Sequence, residues 1–289
     1  MFQKILLATD GSDDSLEAAA VAAQIAKHVG AALFVVNVYK TPAHARRPDQ
    51  QADPAAIHKA QDEVLSKTAA VLDGNGVSYA PWRDRGDPAM RIAAYAAEIH
   101  ADLIVIGSQG QSGIKSMFLG SVSEAVAHNA QRSVLVVRHG APDHADARTI
   151  RRIVLASDGS ESCKRAAAVA VGLAKAFGAS VVLTNAFPPA TDIMPAYAAG
   201  YAIEDIDIAA AQDAAMAGAA RLLEEAHIPY AKRPVLAIPS EGIIDAAVEE
   251  RADLIVMGSR GFGRVKAFFL GSVSDRVLHS AHCPLLIVR

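Results

Sequence analysis

Short runs of apolar, β-branched residues recur along this chain, separated by longer stretches in which apolar positions return every three or four residues. In the first half the runs predict strands at about 3–9, 32–38, 77–82, 102–107 and 133–138. The helical spacing predicts helices at about 13–28, 55–74, 88–99 and 121–129. Strands alternating with helices imply right-handed βαβ crossovers and a parallel sheet covered on both faces. Leu103-Ile-Val-Ile106 is apolar without a break, as a central strand buried on both sides must be. The second half carries the same rhythm, with strands near 152–157, 180–186, 230–236, 253–258 and 284–288.

The rhythm repeats because the sequence does. Lys4–Ser12 returns as Arg152–Ser160, Ala101–Ser108 as Ala252–Ser259, and Phe118–Ser123 as Phe269–Ser274. The offset is 148 residues between Asp10 and Asp158 and 151 between Gly107 and Gly258, so the copies differ by a few inserted residues. Two long repeats in 289 residues predict two α/β domains in tandem, at 1–140 and 150–289. The polar stretch 139–149, with Gly140 and Pro142, reads as their linker.

Composition narrows the class. A hydrophobic content of 52% is ample for two cores. A net charge of −3 supplies no basic face for nucleic acid, and the pairs Arg46-Arg47 and Arg151-Arg152 read as solvated charges. The short apolar run from Lys4 ends at Asp10 with no basic segment before it, so a secretory leader is not expected. No stretch of about 18 apolar residues suggests a membrane span. Cys163 and Cys283 are too few for a disulfide framework and read as reduced packing thiols, which points to the cytoplasm.

Ligands of open parallel sheets sit beyond the carboxyl ends of the strands, where strand order reverses. Two strand ends in each copy break into glycine- and serine-rich turns: Asp10-Gly-Ser12 and Gly107-Ser-Gln-Gly110, then Asp158-Gly-Ser160 and Gly258-Ser-Arg-Gly261. If strands one and four are neighbours, these turns face one crevice. After the fourth strand the spacing is Gly107, two residues, Gly110, nine residues, Gly120-Ser121, and the second copy repeats it with Gly258, Gly261 and Gly271-Ser272. Glycines let backbone N–H groups approach a ligand closely. Ser121–Glu124 and Ser272–Asp275 resemble capping boxes, and a helix start attracts phosphate through its N–H groups and dipole. Asp10, Asp13 and Asp14, like Asp158 and Glu161, would repel phosphate, whereas Lys115, Arg264 and Lys266 in the nine-residue loops would screen it. Phosphate therefore belongs at Gly120-Ser121 and Gly271-Ser272. Asp10 and Asp158 are better placed for base, ribose or a magnesium-bound water.

These motifs resemble the universal stress protein family in its tandem-domain, ATP-binding form. Both copies meet the family pattern Gly-x2-Gly-x9-Gly-[Ser/Thr] in full, and the closing segments 131–138 and 282–289 resemble the family's last strand. The resemblance implies doubly wound domains, each a five-stranded parallel sheet ordered 3-2-1-4-5 with helices on both faces. It further implies an adenine pocket at Asp10 and Val38, matched by Asp158 and Ala186. Ribose and phosphate contacts fall to Gly107, Gly110, Gly120, Ser121 and Val122, and to Gly258, Gly261, Gly271, Ser272 and Val273. The copies differ at Val38/Ala186, Gly86/Ala237 and Gln109/Arg260, and Arg260 offers an extra phosphate donor. Equal affinity of the two sites is not expected.

Other chemistry finds little support. His279, His282 and Cys283 fall close together but read as a helix end and a strand entry, and no zinc spacing, hydrolase elbow or P-loop occurs. Asp10–Ser15 loosely resembles the first-strand loop of ATP-pyrophosphatase-type ligases, but acidic residues occupy it. Trp82 and the loops 40–54 and 187–205 differ most between copies, and Tyr197 and Tyr201 read as loop packing. The expected function is an adenine-nucleotide-binding protein of stress response or signalling that acts through its liganded shape and a protein partner. The alternative is a slow ATPase or adenylyl-transferring enzyme. No catalytic residue and no protein-built metal site is expected; ATP, ADP or AMP is the expected ligand, with Mg²⁺ on its phosphates. The apolar last strands predict an intrachain pseudo-dimer, with a homodimer through other faces left open.

Overall fold

The computed structural model describes residues 1–41, 53–110, 119–138, 149–188, 207–261 and 270–289. The chain divides into two compact units, Met1–Thr149 and Ile150–Arg289. Lys115, Arg264, Lys266, Tyr197 and Tyr201 lie outside the described residues, as does most of the linker and of the two divergent loops.

In domain one the elements run β1 (Lys4–Ala8), α1 (Asp13–Val29), β2 (Ala32–Lys40), α2 (Pro54–Gly74), β3 (Tyr79–Gly86), α3 (Pro88–Glu98), β4 (Leu103–Gly107), α4 (Ser121–Asn129) and β5 (Ser133–Val137). Domain two repeats them as β6 (Arg152–Ala156), α5 (Glu161–Phe177), β7 (Ser180–Phe187), α6 (Ile208–Glu225), β8 (Tyr230–Leu236), α7 (Pro239–Glu249), β9 (Leu254–Gly258), α8 (Ser272–Ser280) and β10 (Leu285–Val288). Every strand pair within a domain is parallel, in the orders β3-β2-β1-β4-β5 and β8-β7-β6-β9-β10. Both orders are the expected 3-2-1-4-5. In domain one α1 packs beside α2 and α3 beside α4, one pair on each face of the sheet.

Sequence explains the layers. All five residues of β4 and of β9 are buried, because helices cover both faces of a central strand. The alanines of α1, with Ala18, Ala19, Ala22 and Ala23 fully or nearly fully buried, leave no bulk between helix and sheet. Backbones meet there: a Cβ on Gly107 would lie 2.7 Å from the Asp14 carbonyl carbon and the Ser15 nitrogen. Helix α1 starts at Ser12, whose side chain accepts from the Ser15 N–H, and ends at Gly30 with φ 69°, a left-handed cap that glycine adopts without strain. The third strand departs from expectation, beginning at Tyr79 and running on to Gly86 through Arg83, Asp84 and Arg85.

Two buried glutamines brace the carboxyl ends of the sheets. Gln61, 1% exposed, donates through Nε2 to the carbonyls of Asn37 (3.2 Å) and Asp84 (3.0 Å), and Asn37 in turn donates to the carbonyl of Thr9 (2.8 Å). Gln212 does the same for Asn185 (3.2 Å) and Val235 (2.9 Å), and Asn185 donates to Ser157 (2.7 Å). Three strand ends are thereby tied to one helix in each domain, directly beneath the loops that follow β1 and β6.

Candidate functional site

Ala8 stands opposite Ile106 in the β1–β4 pair, so the loops leaving these strands emerge side by side. Their polar groups interlock. The Ser12 N–H and hydroxyl donate to Asp10 Oδ1 (3.1 and 2.6 Å), and the same hydroxyl lies 3.2 Å from the Gln109 carbonyl. The Asp14 carboxylate accepts from the Gln109 N–H (2.9 Å) and from the Ser108 hydroxyl. Asp14, expected only to repel phosphate, thus fastens the fourth-strand loop. A Cβ on Gly110 would fall 2.6 Å from Asp10 Oδ2, so a glycine there keeps the carboxylate in place.

Domain two builds the same junction from different groups. Asp158 Oδ1 accepts from the Ser160 N–H (2.9 Å) and from the Cys163 thiol (3.0 Å), and Ser162, in the place of Asp14, donates to the Arg260 carbonyl. Burial first, and then the hydrogen bond to Asp158, push the Cys163 thiol up to about 11. It is a protonated donor at neutral pH.

The helix starts correct one expectation. Ser121 and Ser272 are not N-caps: Gly120 and Gly271 hold that position, in extended conformation (φ −72° and −71°), and neither helix has a side-chain cap. Ser123 turns its hydroxyl back toward the carbonyls of Ser108 (2.7 Å) and Gly120 (2.8 Å), and Ser274 toward that of Gly258 (3.0 Å). A capping serine would occupy the first-turn N–H groups; a glycine leaves them directed outward, where an anion can accept from them. The Gly120 and Gly271 N–H groups donate to the Ser108 and Ser259 carbonyls (2.7 and 2.9 Å), which pins each helix start to its own fourth strand.

Each domain has a cavity at this junction, about 290 Å³ in domain one and about 370 Å³ in domain two, near the lower end for small-molecule sites. Asp10, Val38, Gly107, Gly110, Gly120, Ser121 and Val122 all line the first. Asp158, Ala186, Gly258, Arg260, Gly261, Gly271, Ser272 and Val273 all line the second. Sequence reasoning missed other lining residues. Val36, Pro88 and Ile92 add an apolar wall beside Val38, and Lys40 adds a cation at the end of β2. In the second cavity Pro239 and Ile243 repeat the wall, and Cys163 takes the place of Ser15. The repeat offset of 148 residues aligns Cys163 with Ser15 and could have revealed it. Cys283 does pack in the core, 1% exposed. Among the described residues no three His, Cys, Asp or Glu side chains come together as metal ligands, and no helix is long and apolar enough to cross a membrane.

Apolar side chains, Val36, Val38, Pro88 and Ile92 in domain one, supply part of the lining, and the uncapped helix start at Gly120 supplies another part.

Comparison with known proteins agrees with this architecture. Residues 1–138 and 149–289 each match the sequence profile described as the Universal stress protein family. A universal stress protein of Thermus aquaticus is 41% identical over 143 residues, covering 48% of this chain and 98% of the relative. One from Methanocaldococcus jannaschii is 35% identical over 141 residues, covering 48% of this chain and 83% of the relative. The crystal structure of a universal stress protein from Archaeoglobus fulgidus superposes with a TM-score of 0.72 over 99% of this chain and 98% of that one, at 21% identity. With both halves matched and the fold shared along its whole length, the chain belongs to the universal stress protein family, as a tandem of two such domains.

Proposed function

We propose that each domain binds an adenine nucleotide, ATP or its di- or monophosphate, and that the chain serves stress response or signalling in the cytoplasm through its liganded shape and a protein partner. The observation that carries the reading is the uncapped helix start at Gly120 and at Gly271, each lining a cavity that also has apolar side chains able to form a slot for a base. The slot takes the base, the N–H groups of residues 121–123 and 272–274 take phosphate, and Asp10 and Asp158 face base or ribose. Mg²⁺ travels with the triphosphate and offsets its several negative charges. The last strands β5 and β10, apolar but for Ser133, pair in an intrachain pseudo-dimer.

Mass spectrometry of the nucleotide that co-purifies with untreated protein tests the reading, supported by calorimetry with ATP and GTP. Micromolar or tighter binding of ATP, preferred over GTP and weakened by excess chelator, is the expected result; well-folded protein that binds no adenine nucleotide refutes it. Turnover faster than roughly one per minute, against about 1–1000 per second for ordinary enzymes, would favour a hydrolytic or adenylyl-transferring role instead.

A further inference from the structure

Gln109 and Arg260 occupy equivalent places, one residue beyond Ser108 and Ser259 at the ends of β4 and β9. The Ser259 N–H donates to the Val288 carbonyl (2.9 Å), which sets Arg289 beside Ser259 where two parallel strands end, with Arg260 one residue further on and close enough for its charge to act on Arg289. Domain one makes the same bond, from Ser108 to Val137 (2.7 Å), but there the next residues are Gln109 and Arg138. Domain two therefore holds two guanidinium groups where domain one holds one. Burial, and after it the charge of Arg260, keep Arg289 below its ordinary range, the expected effect of a desolvated cation beside another.

Arg260 also touches the cavity. It is half-buried, lines the pocket beside Gly261 and Gly271, and makes no ion pair among the described residues. A Cβ on Gly271 would lie 3.4 Å from Arg260 Cα, so this arginine adjoins the helix start. Lys40, the described cation of the first cavity, is exposed and sits two strands away at the end of β2. A guanidinium beside outward-facing N–H groups suits a chain of phosphates.

We propose that domain two selects polyphosphate forms of its nucleotide through Arg260, whereas domain one accepts mono- and polyphosphate forms with little preference. The proposal rests on the adenine-nucleotide reading and extends it: as the ratio of tri- to monophosphate falls, domain two loses its ligand while domain one keeps one. A charge-assisted contact of this kind carries roughly tenfold to a hundredfold in affinity.

Calorimetry of the full chain with ATP and with AMP tests it. The parent protein should show two sites for ATP, one of which binds AMP at least roughly tenfold more weakly. Arg260→Gln should weaken ATP at that site by a similar factor and change AMP little, and Gln109→Arg should confer the preference on domain one. An unchanged ATP-to-AMP ratio in both variants, or parallel loss of both nucleotides in Arg260→Gln, overturns the proposal. Should Arg260→Gln fail to fold, Gln109→Arg alone decides. Tripolyphosphate without adenine separates this idea from its foundation. If neither nucleotide binds the parent protein, the adenine reading fails; tripolyphosphate binding that Arg260→Gln abolishes then supports the anion selectivity, and binding indifferent to it, or none, overturns it.

Discussion

Gly271→Ala is the substitution that separates ligand contact from folding. Glycine holds the N-cap of α8 with φ −71° and ψ 152°, a conformation open to any residue. The added Cβ would meet Arg260 Cα at 3.4 Å, the Ser259 carbonyl at 3.5 Å and Ser274 Oγ at 3.8 Å, all ordinary contacts. The ligand-free protein therefore loses only the difference between glycine and alanine as N-caps, about 0.5–1 kcal/mol, or roughly 2–4 °C in a domain of this size. Phosphate fares worse. An oxygen that would approach an N–H to about 2.9 Å must stay about 3.5 Å from a methyl carbon, so the phosphate withdraws and loses charge-assisted bonds of about 1.5–3 kcal/mol each. ATP at about 100 times its Kd stabilises a domain by about 2.7 kcal/mol; losing about 2 kcal/mol of binding cuts that to below about 1 kcal/mol. Thermal scans with and without ATP measure both effects, and hydrogen exchange of the peptide 270–280 assigns them to domain two. The counterpart Gly120→Ala should harm the ligand-free protein more, because its Cβ would come within 3.1 Å of the Ser108 carbonyl. Full ATP stabilisation in Gly271→Ala would refute the contact, and a ligand-free loss well beyond 1 kcal/mol would show that the glycine serves packing.

Three further outcomes are expected. The Cys163 thiol, raised from 9.0 to about 11, contributes stability that is complete below pH 9 and disappears as pH climbs to 11; it amounts to about 3 kcal/mol. Urea melts of Cys163→Ser across that range should show a shallower alkaline decline, and equal declines would contradict the assignment. Gln61→Leu and Gln212→Leu each remove a donor from two buried or part-buried carbonyls, costing about 1–3 kcal/mol in denaturant unfolding; a neutral result would mean that the braces are redundant. Residues 1–140 alone should self-associate in sedimentation, because an apolar last strand left without its intended partner finds another. A soluble monomer at high concentration would dispose of the pseudo-dimer.

The strands that end at the cavities were the most legible part of the sequence. The runs at 103–106 and 254–257 show a buried centre by apolarity alone, and the duplicated glycine spacing located both cavities. The third strand was harder to delimit, since Arg83, Asp84 and Arg85 are all charged, so an edge strand whose Arg83 and Arg85 are exposed shows no apolar alternation in its sequence. Serines beside glycines looked like caps because local pattern records who can cap, not which residue the turn places there; the fourth-strand carbonyls captured Ser123 and Ser274 instead. Lys40 and Cys163 lie only two and five residues from Val38 and Asp158, but a lysine at a strand end and a cysteine in a first helical turn read locally as a solvated charge and a packing thiol.

Each cavity draws its described lining from one domain alone, residues 8–123 in one case and 156–274 in the other. A substitution in one site therefore leaves the other's walls untouched. Duplication of such a self-sufficient unit lets each copy change its own walls independently, and the copies do differ at Ser15/Cys163, Val38/Ala186 and Gln109/Arg260. Were the pocket shared across two chains, every one of those changes would have been tested twice at once, and the pair could not have diverged residue by residue.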